Sequence, residues 1–150
     1  MAETFRRSLQ NDIQFGLMKE IDILPTLKGN WEDEEDIRNT KDIYNDEYYP
    51  YDFESKNASS WEVKSRRISK NYYPTTIIPV HKVRKVDTPQ YFVFNFTDAC
   101  SSIKYDKELF SKFKTRWVKV ERFGGNPNPV LHYEIPIHLL EDLVRIFANH

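Results

Sequence analysis

Residues 51–66 read YDFESKNASSWEVKSR, and this segment predicts a β-hairpin. Residues 56–60 have turn composition, since Asn and Ser side chains bond readily to nearby backbone. Residues 61–64 alternate apolar and charged side chains, which is typical of a strand with one buried face. The aromatic residues 48–53 precede the turn, and Pro50 predicts that they lie at the start or the edge of a strand. We therefore expect two antiparallel strands joined by a short turn.

The hairpin carries charged residues whose spacing predicts a chemical site. Glu62 and Lys64 are two residues apart, so both leave the same face of a strand, roughly 7 Å apart along its axis. A hairpin brings Asp52 beside Glu62, and two such carboxylates repel each other unless a cation lies between them. Mg²⁺ is held by one or two carboxylates and can activate a bound water, which Lys64 would then orient. An exposed charge pair on a hairpin is the alternative interpretation.

This arrangement of an acid, a variable gap and acid-any-Lys resembles the catalytic pattern of the PD-(D/E)XK nuclease superfamily. Asp52 matches the first acid, and Glu62-Val63-Lys64 matches the second part. The residue before Asp52 is tyrosine, and the proline stands one place earlier. The superfamily often carries a further acid on its first helix, and Glu20 is the candidate. It lies within an otherwise apolar helical stripe, where a carboxylate is unusual.

The resemblance extends over roughly residues 10–115 and includes residues 73–78, 91–98 and 103–106. In these parts the chain is similar to small nuclease-fold proteins encoded by large DNA viruses and phages. The resemblance implies an α/β (mixed α+β) fold in which a central mixed β-sheet is flanked by helices. It also implies a restriction-endonuclease-like α-β-β-β-α-β core within a single domain, residues 1–150. The implied activity is hydrolysis of DNA phosphodiesters, with Mg²⁺ or Mn²⁺ held by Asp52, Glu62 and the carbonyl of Val63.

Periodicity and turn signals predict the remaining elements. Apolar spacing predicts a first helix over residues 12–27, disturbed near its end by Pro25, and a last helix that begins at Pro136 with Leu139, Leu140, Leu143 and Ile146 as its apolar face. Between them we expect a solvated acidic loop at 31–36 and a first strand within 37–44. A strand and then a short helix are expected over 75–86, followed by a strand buried on both faces at 91–96. The remaining expected elements are a strand at 102–105, a capped helix at 106–113, and strands at 117–123 and 132–136.

Basic and aromatic residues near the hairpin are candidates for contacts with nucleic acid. Local positive charge suits phosphate contacts, although solvated faces of ordinary elements are the alternative. The cations predicted to contact DNA are Arg66, Arg67, Lys70, Lys82 and Arg84. Five tyrosines flank the hairpin and either stack on bases or cover the edges of the sheet. They are Tyr48, Tyr49, Tyr51, Tyr72 and Tyr73.

Composition excludes several classes of protein. The chain has 150 residues, 30% of them charged, yet its net charge is only −1, so any attraction for phosphate must be local. One cysteine, Cys100, permits no internal disulfide, and no zinc pattern is present. No signal peptide or membrane-spanning stretch is visible, so we expect a soluble intracellular protein, in the cytoplasm or nucleus of a host cell if viral. A homodimer is plausible. A non-catalytic module that binds nucleic acid or protein, and an unrelated viral structural protein, are the alternatives.

Overall fold

The computed structural model describes residues 23–119 and 128–146, and it has a mixed α/β fold with two β-sheets. The predicted class is therefore confirmed. The elements are, in chain order, helical residues 23–30 (α1), β1 (Arg38–Asn39), α2 (Thr40–Tyr44), β2 (Phe53–Glu54), β3 (Ser60–Ser65), β4 (Thr75–Pro79), a 3-10 turn (Val80–Lys82), β5 (Gln90–Asn95), β6 (Cys100–Lys104), α3 (Lys107–Ser111), β7 (Thr115–Val118), β8 (Val130–Pro136), a second 3-10 turn (Ile137–Leu139) and β9 (Glu141–Asp142).

The larger sheet has six strands in the order β1-β2-β3-β5-β6-β9. Strands β3 and β5 are parallel, while the other neighbours are antiparallel. The predicted hairpin is β2 and β3, in which Phe53 faces Trp61. Its turn contains Ala58 in the left-handed region, with a φ of 66°. Because β3 is connected to its parallel neighbour, the chain must leave this sheet after β3 and return to it at β5.

The segment that connects β3 to β5 contains β4 and a single 3-10 turn. Strand β4 was expected, but the short helix predicted over residues 80–86 is reduced to Val80–Lys82. Strand β4 pairs with β8, and β8 with β7, in a three-stranded sheet. This arrangement places the 3-10 turn, and the lysine that ends it, next to the larger sheet.

Two apolar cores lie on opposite faces of the larger sheet. Residues of alternate parity on β5 face opposite ways, as in any strand. One core gathers the phenylalanines of β5 with residues of the smaller sheet: Ile78, Phe92, Phe94, Phe96 and Ile135, with Ile103, Phe110, Ile137 and Leu140. The other core packs α1 on the hairpin and contains Ile23, Leu27, Ile37, Phe53, Trp61, Val63, Val93 and Cys100. The prediction that β5 is buried on both faces is confirmed.

The amino-terminal elements differ from the predictions in three places. Helix α1 continues through Pro25 to residue 30, about three residues beyond the predicted end, while the predicted start at residue 12 lies outside the described residues. The first strand within 37–44 has two residues, because the side chain of Asn39 accepts a hydrogen bond from Lys41 N–H and caps α2. In the acidic segment, Glu34 is not merely solvated. Its carboxylate accepts hydrogen bonds from Ser55 at 2.8 Å and Ser59 at 2.7 Å, which fastens the hairpin turn.

The last helix predicted from Pro136 is wrong. A 3-10 turn follows the proline, and β9 then pairs with β6, the strand that would otherwise be an open edge. The backbone N–H of Leu143 donates to the carbonyl of Cys100 at 2.8 Å. The apolar residues that suggest a helix are divided between the two cores instead, with Leu140 in one and Leu143 packed against the other. None of the helices in the described parts of the chain has the length and apolar character needed to cross a bilayer.

Candidate active site

The two charged residues of the predicted motif lie side by side on β3. Strand β3 spans Ser60–Ser65, so the predicted strand at 61–64 is confirmed. Alternation places Glu62 and Lys64 on one face, opposite the core residues Trp61 and Val63. The Nζ atom of Lys64 is 3.4 Å from Oε1 of Glu62. The side chain of Glu62 is only 8% exposed, so this carboxylate is almost fully withdrawn from water.

Asp52 is directed at the same strand from across the hairpin. Phe53 pairs with Trp61, and Asp52 is the residue before Phe53 on the first arm of the hairpin. The backbone N–H of Asp52 donates to the carbonyl of Trp61 at 3.1 Å, and its Oδ2 accepts from the N–H of Val63 at 2.8 Å. The N–H and C=O of one strand residue point to the same side, so the carbonyl of Val63 also faces Asp52. Asp52 therefore points toward β3 and not away from it.

One oxygen of Glu62 is buried without a partner. Oε2 is inaccessible to solvent and makes no hydrogen bond within the described residues. Such an atom is costly, because a buried carboxylate oxygen loses its hydration and is normally compensated by donors or by a metal. A cation bound at this carboxylate would remove that cost.

Lys82 is a fourth charged member of this group. It lies at the end of the 3-10 turn, and its Nζ is 3.5 Å from Oε1 of Glu62. The same Nζ donates to the carbonyl of Pro50 at 3.1 Å. The sequence predicted Lys82 only as a contact to DNA. Its place beside Glu62 depends on the return of the chain from β3 to β5, and no local pattern indicates it.

Arg84 borders the site on the side of the tyrosines. Its Nη2 donates to the hydroxyl of Ser60 at 2.6 Å, and its guanidinium lies 4.0 Å from the centre of the Tyr51 ring. The Tyr51 hydroxyl donates to Oε1 of Glu54 at 3.0 Å. Burial, and hydrogen bonding with Tyr49 and Glu54, raise the pKa of Tyr51 above its ordinary value. This phenol therefore remains a neutral donor, and Arg84 is held by packing as well as by charge.

The other three cations predicted to contact DNA lie apart from this group. Arg66 is largely buried, which lowers its pKa below the ordinary value, and its Nη2 donates to the carbonyl of Ile77 at 2.9 Å. Arg67 is exposed. Lys70 donates to Oδ1 of Asp142 at 2.6 Å. Of the five predicted cations, Lys82 and Arg84 thus lie at the Glu62 site and the other three lie apart from it.

The donor set fits a hard divalent cation with few protein ligands. Within residues 23–119 and 128–146 there is no group of three or more His, Cys, Asp or Glu side chains that could hold a metal. Glu20, the predicted third carboxylate, lies outside the described residues. Asp52, Glu62 and the Val63 carbonyl supply oxygen atoms only. Such a set suits Mg²⁺, which usually keeps several waters and is bound through one or two carboxylates.

The chain matches no protein-family model, no curated protein and no solved structure. The chemistry of the site is therefore inferred from its own residues. These are the paired carboxylates of Asp52 and Glu62 and the two ammonium groups of Lys64 and Lys82.

Proposed function

We propose that this protein is a metal-dependent nuclease of the PD-(D/E)XK type that hydrolyses phosphodiester bonds in DNA. The observation that carries the proposal is the buried, unpartnered Oε2 of Glu62, beside Asp52 and on the same strand face as Lys64. A surface ion pair would leave no such atom. A cation site would account for it, because the ion would take the place of the missing partner.

Each residue of the site has a separate part in the proposed reaction. Asp52, Glu62 and the carbonyl of Val63 would hold Mg²⁺ or Mn²⁺, with Glu20 as a supporting acid. When bound, the ion would supply Lewis-acid assistance to the phosphate and to a water. Lys64 would orient the attacking water and stabilise the negative charge that develops on the phosphate. Its position suits this part, because its ammonium group is 3.4 Å from Glu62 and partly exposed.

The charges of the site favour the binding of phosphate once an ion is present. Asp52 and Glu62 contribute two negative charges, and Lys64 and Lys82 contribute two positive ones. A divalent ion then leaves the group with a local surplus of two positive charges. That surplus is the kind of local attraction that a protein of net charge −1 needs in order to bind DNA.

We also propose that α1, β1, β2, β3 and β5 correspond to the α-β-β-β-α-β core of that superfamily. The antiparallel order β1-β2-β3 and the parallel pairing of β3 with β5 support this correspondence. The second helix of that core would be represented here by β4 and the turn Val80–Lys82.

A non-catalytic module that binds nucleic acid or protein is the second candidate. One specific observation favours it. Oε1 of Glu62 already faces two ammonium groups, at 3.4 and 3.5 Å, so one oxygen of this carboxylate is compensated without a metal. If these lysines serve only to neutralise Glu62, the site is structural and neither ion binding nor hydrolysis follows.

A cleavage assay separates the two candidates. Duplex, branched and single-stranded DNA are each incubated with the protein in Mg²⁺, in Mn²⁺ and in a chelator. We expect cleavage that depends on the metal and is lost in Lys64→Ala. Lys112→Ala is the matched control, because it removes an exposed lysine that pairs with an exposed carboxylate outside the site. Cleavage by neither wild type nor control, or equal cleavage by Lys64→Ala, would exclude the proposed activity.

A further inference from the structure

A cavity of about 670 Å³ adjoins the proposed active site. Lys64 belongs to both, since its side chain lines the cavity and its Nζ contacts Glu62. The volume falls in the range of cavities that hold small organic ligands, roughly 300–1,000 Å³. A ligand in the cavity would therefore lie within one side-chain length of the carboxylates.

The cavity is formed where the end of β3 meets one face of the smaller sheet. In that sheet Ile77 pairs with Glu134, Pro79 pairs with His132, and Arg116 on β7 pairs with His132 from the other side. Directly paired residues have side chains on the same face, so these side chains share one surface. Arg66 fastens the end of β3 to this sheet through its bond to the carbonyl of Ile77. The walls are thus fixed by both sheets.

The polar groups of the cavity include both donors and acceptors. Arg116 Nε is 3.1 Å from Glu134 Oε1. A guanidinium carries five N–H donors, more than a single carboxylate accepts, so donors remain for a ligand. The Nδ1 atom of His132 is 2.8 Å from the carbonyl of Val130, and because a carbonyl only accepts, Nδ1 carries the proton. In the neutral ring, Nε2 is then an acceptor.

The remaining walls include apolar side chains and one aromatic residue. Pro74, Pro79 and Ile77 line the cavity together with Tyr73, which is 56% exposed. Apolar and aromatic surface combined with a few hydrogen-bonding groups suits a heteroaromatic ring that has donors and acceptors on its edge. Lys64 and Arg66 add positive charge at the β3 wall, which suits an attached phosphate.

We infer that this cavity binds an unpaired nucleotide of the DNA substrate. The base lies among Tyr73, Arg116, His132 and Glu134, and its phosphate lies toward Lys64. A base inside an intact duplex has its pairing edge occupied and cannot enter a recess of this kind without being extruded. The preferred substrate class is therefore single-stranded DNA, or a strand with a frayed or extruded nucleotide. The inference rests on the proposed function, because it assigns the substrate of the same site.

Binding in the absence of metal tests the inference without relying on catalysis. Fluorescence anisotropy in a chelator compares a labelled single strand with the duplex of the same sequence. We expect the wild type to bind the single strand at least tenfold more tightly. Thr75→Trp, which fills the cavity from β4, should weaken single-strand binding at least tenfold. Thr97→Trp on an exposed turn is the control and should stay within twofold of wild type.

The fold of Thr75→Trp is checked first by circular dichroism and by its melting curve. A second variant keeps the inference testable if Thr75→Trp does not fold. Arg116→Gln, at a residue more than half exposed, should weaken single-strand binding at least threefold more than the exposed charge change Lys107→Gln. Equal affinity for single strand and duplex, or cavity variants that bind as the controls do, would overturn the inference.

The outcomes separate this inference from the proposed nuclease activity. If the wild type cleaves duplex and single strand alike, and Thr75→Trp cleaves as well as wild type, the cavity inference fails and the nuclease remains. If the wild type cleaves nothing but binds single strands with an affinity that Thr75→Trp reduces, the nuclease fails and the cavity remains a nucleotide site.

Discussion

Asp142 and Glu62 are both paired with lysine, but they differ in exposure to solvent and in hydrogen bonding. Asp142, at β9, is 66% exposed, and its Oδ1 accepts from Lys70 and from the hydroxyl of Ser101, both at 2.6 Å. Glu62 is 8% exposed, and its two lysines gather around Oε1 while Oε2 has no hydrogen-bond partner among the described residues. Asp142 thus has strong, well-placed donors in a solvated position. Glu62 has an unsatisfied oxygen in a buried one.

Asp142 is therefore the carboxylate that serves the fold alone. Its pair with Lys70 joins β9 to β6 and to the segment after β3, and because the carboxylate is 66% exposed, solvent screening limits the contribution of the pair to about 0–1 kcal/mol. Burying Glu62 with an unpartnered oxygen disfavours folding, since such groups lose hydration without full compensation. We propose an ion-binding site as the explanation of this unpartnered oxygen, on a strand that also carries Lys64.

Substitutions of Glu62 and Asp142 are expected to differ most in the rate of DNA cleavage. Glu62→Gln keeps the size of the side chain but removes the charge that holds the ion, and should reduce the cleavage rate by about 10³-fold or more, since metal assistance contributes several kcal/mol to the transition state. Asp142→Asn should leave the rate within about twofold of wild type. Initial rates under single-turnover conditions measure both. Similar losses of cleavage rate in the two variants would show that Glu62 has no part in hydrolysis that Asp142 lacks.

A smaller difference is expected in the stability of the metal-free protein. Lys82→Met removes a contact to Glu62 and a hydrogen bond to the carbonyl of Pro50, and we expect a loss of about 1–2 kcal/mol. Lys70→Met removes a pair whose carboxylate is exposed to solvent, and should cost about 0–1 kcal/mol. The same Lys82 variant should bind divalent ions more tightly, because a competing cation is gone. Urea unfolding with and without Mn²⁺ measures both effects, and weaker ion binding by Lys82→Met would contradict this role.

The smallest effect concerns pH. Hydrogen bonds from Lys70 and Ser101 lower the pKa of Asp142 below its ordinary value. The stabilisation is therefore complete above the ordinary pKa, about 3.9, and is lost as the pH falls through the lowered value. The difference in free energy of unfolding between wild type and Asp142→Asn should be constant from about pH 5 to 8 and shrink below about pH 4. A difference that grows on acidification would show the opposite sign.

The hairpin that carries the site could be predicted from sequence because its signals are local. Turn composition at 56–60 and alternation at 61–64 fix the direction of Glu62 and Lys64 relative to Trp61. Asp52 follows from the register of the same hairpin. These residues are near in sequence, and their arrangement depends on short-range rules of strand geometry.

The parts that sequence could not predict depend on contacts between distant segments. Lys82 reaches Glu62 only because the chain returns from β3 through the smaller sheet. Residues 139–146 have apolar spacing compatible with a helix, yet the open edge of β6 selects a strand there. Glu34, in an acidic run, was expected to be solvated and instead holds two serines of the hairpin turn. In each case tertiary packing overrides the local pattern.

Direct titration is the simplest test of the proposed divalent-ion site at Asp52 and Glu62. Mn²⁺ is titrated calorimetrically into wild type, Glu62→Gln and Asp142→Asn without DNA. We expect saturable binding by wild type and Asp142→Asn, and none by Glu62→Gln. Binding by none of the three proteins, or equal binding by all three, would contradict the account.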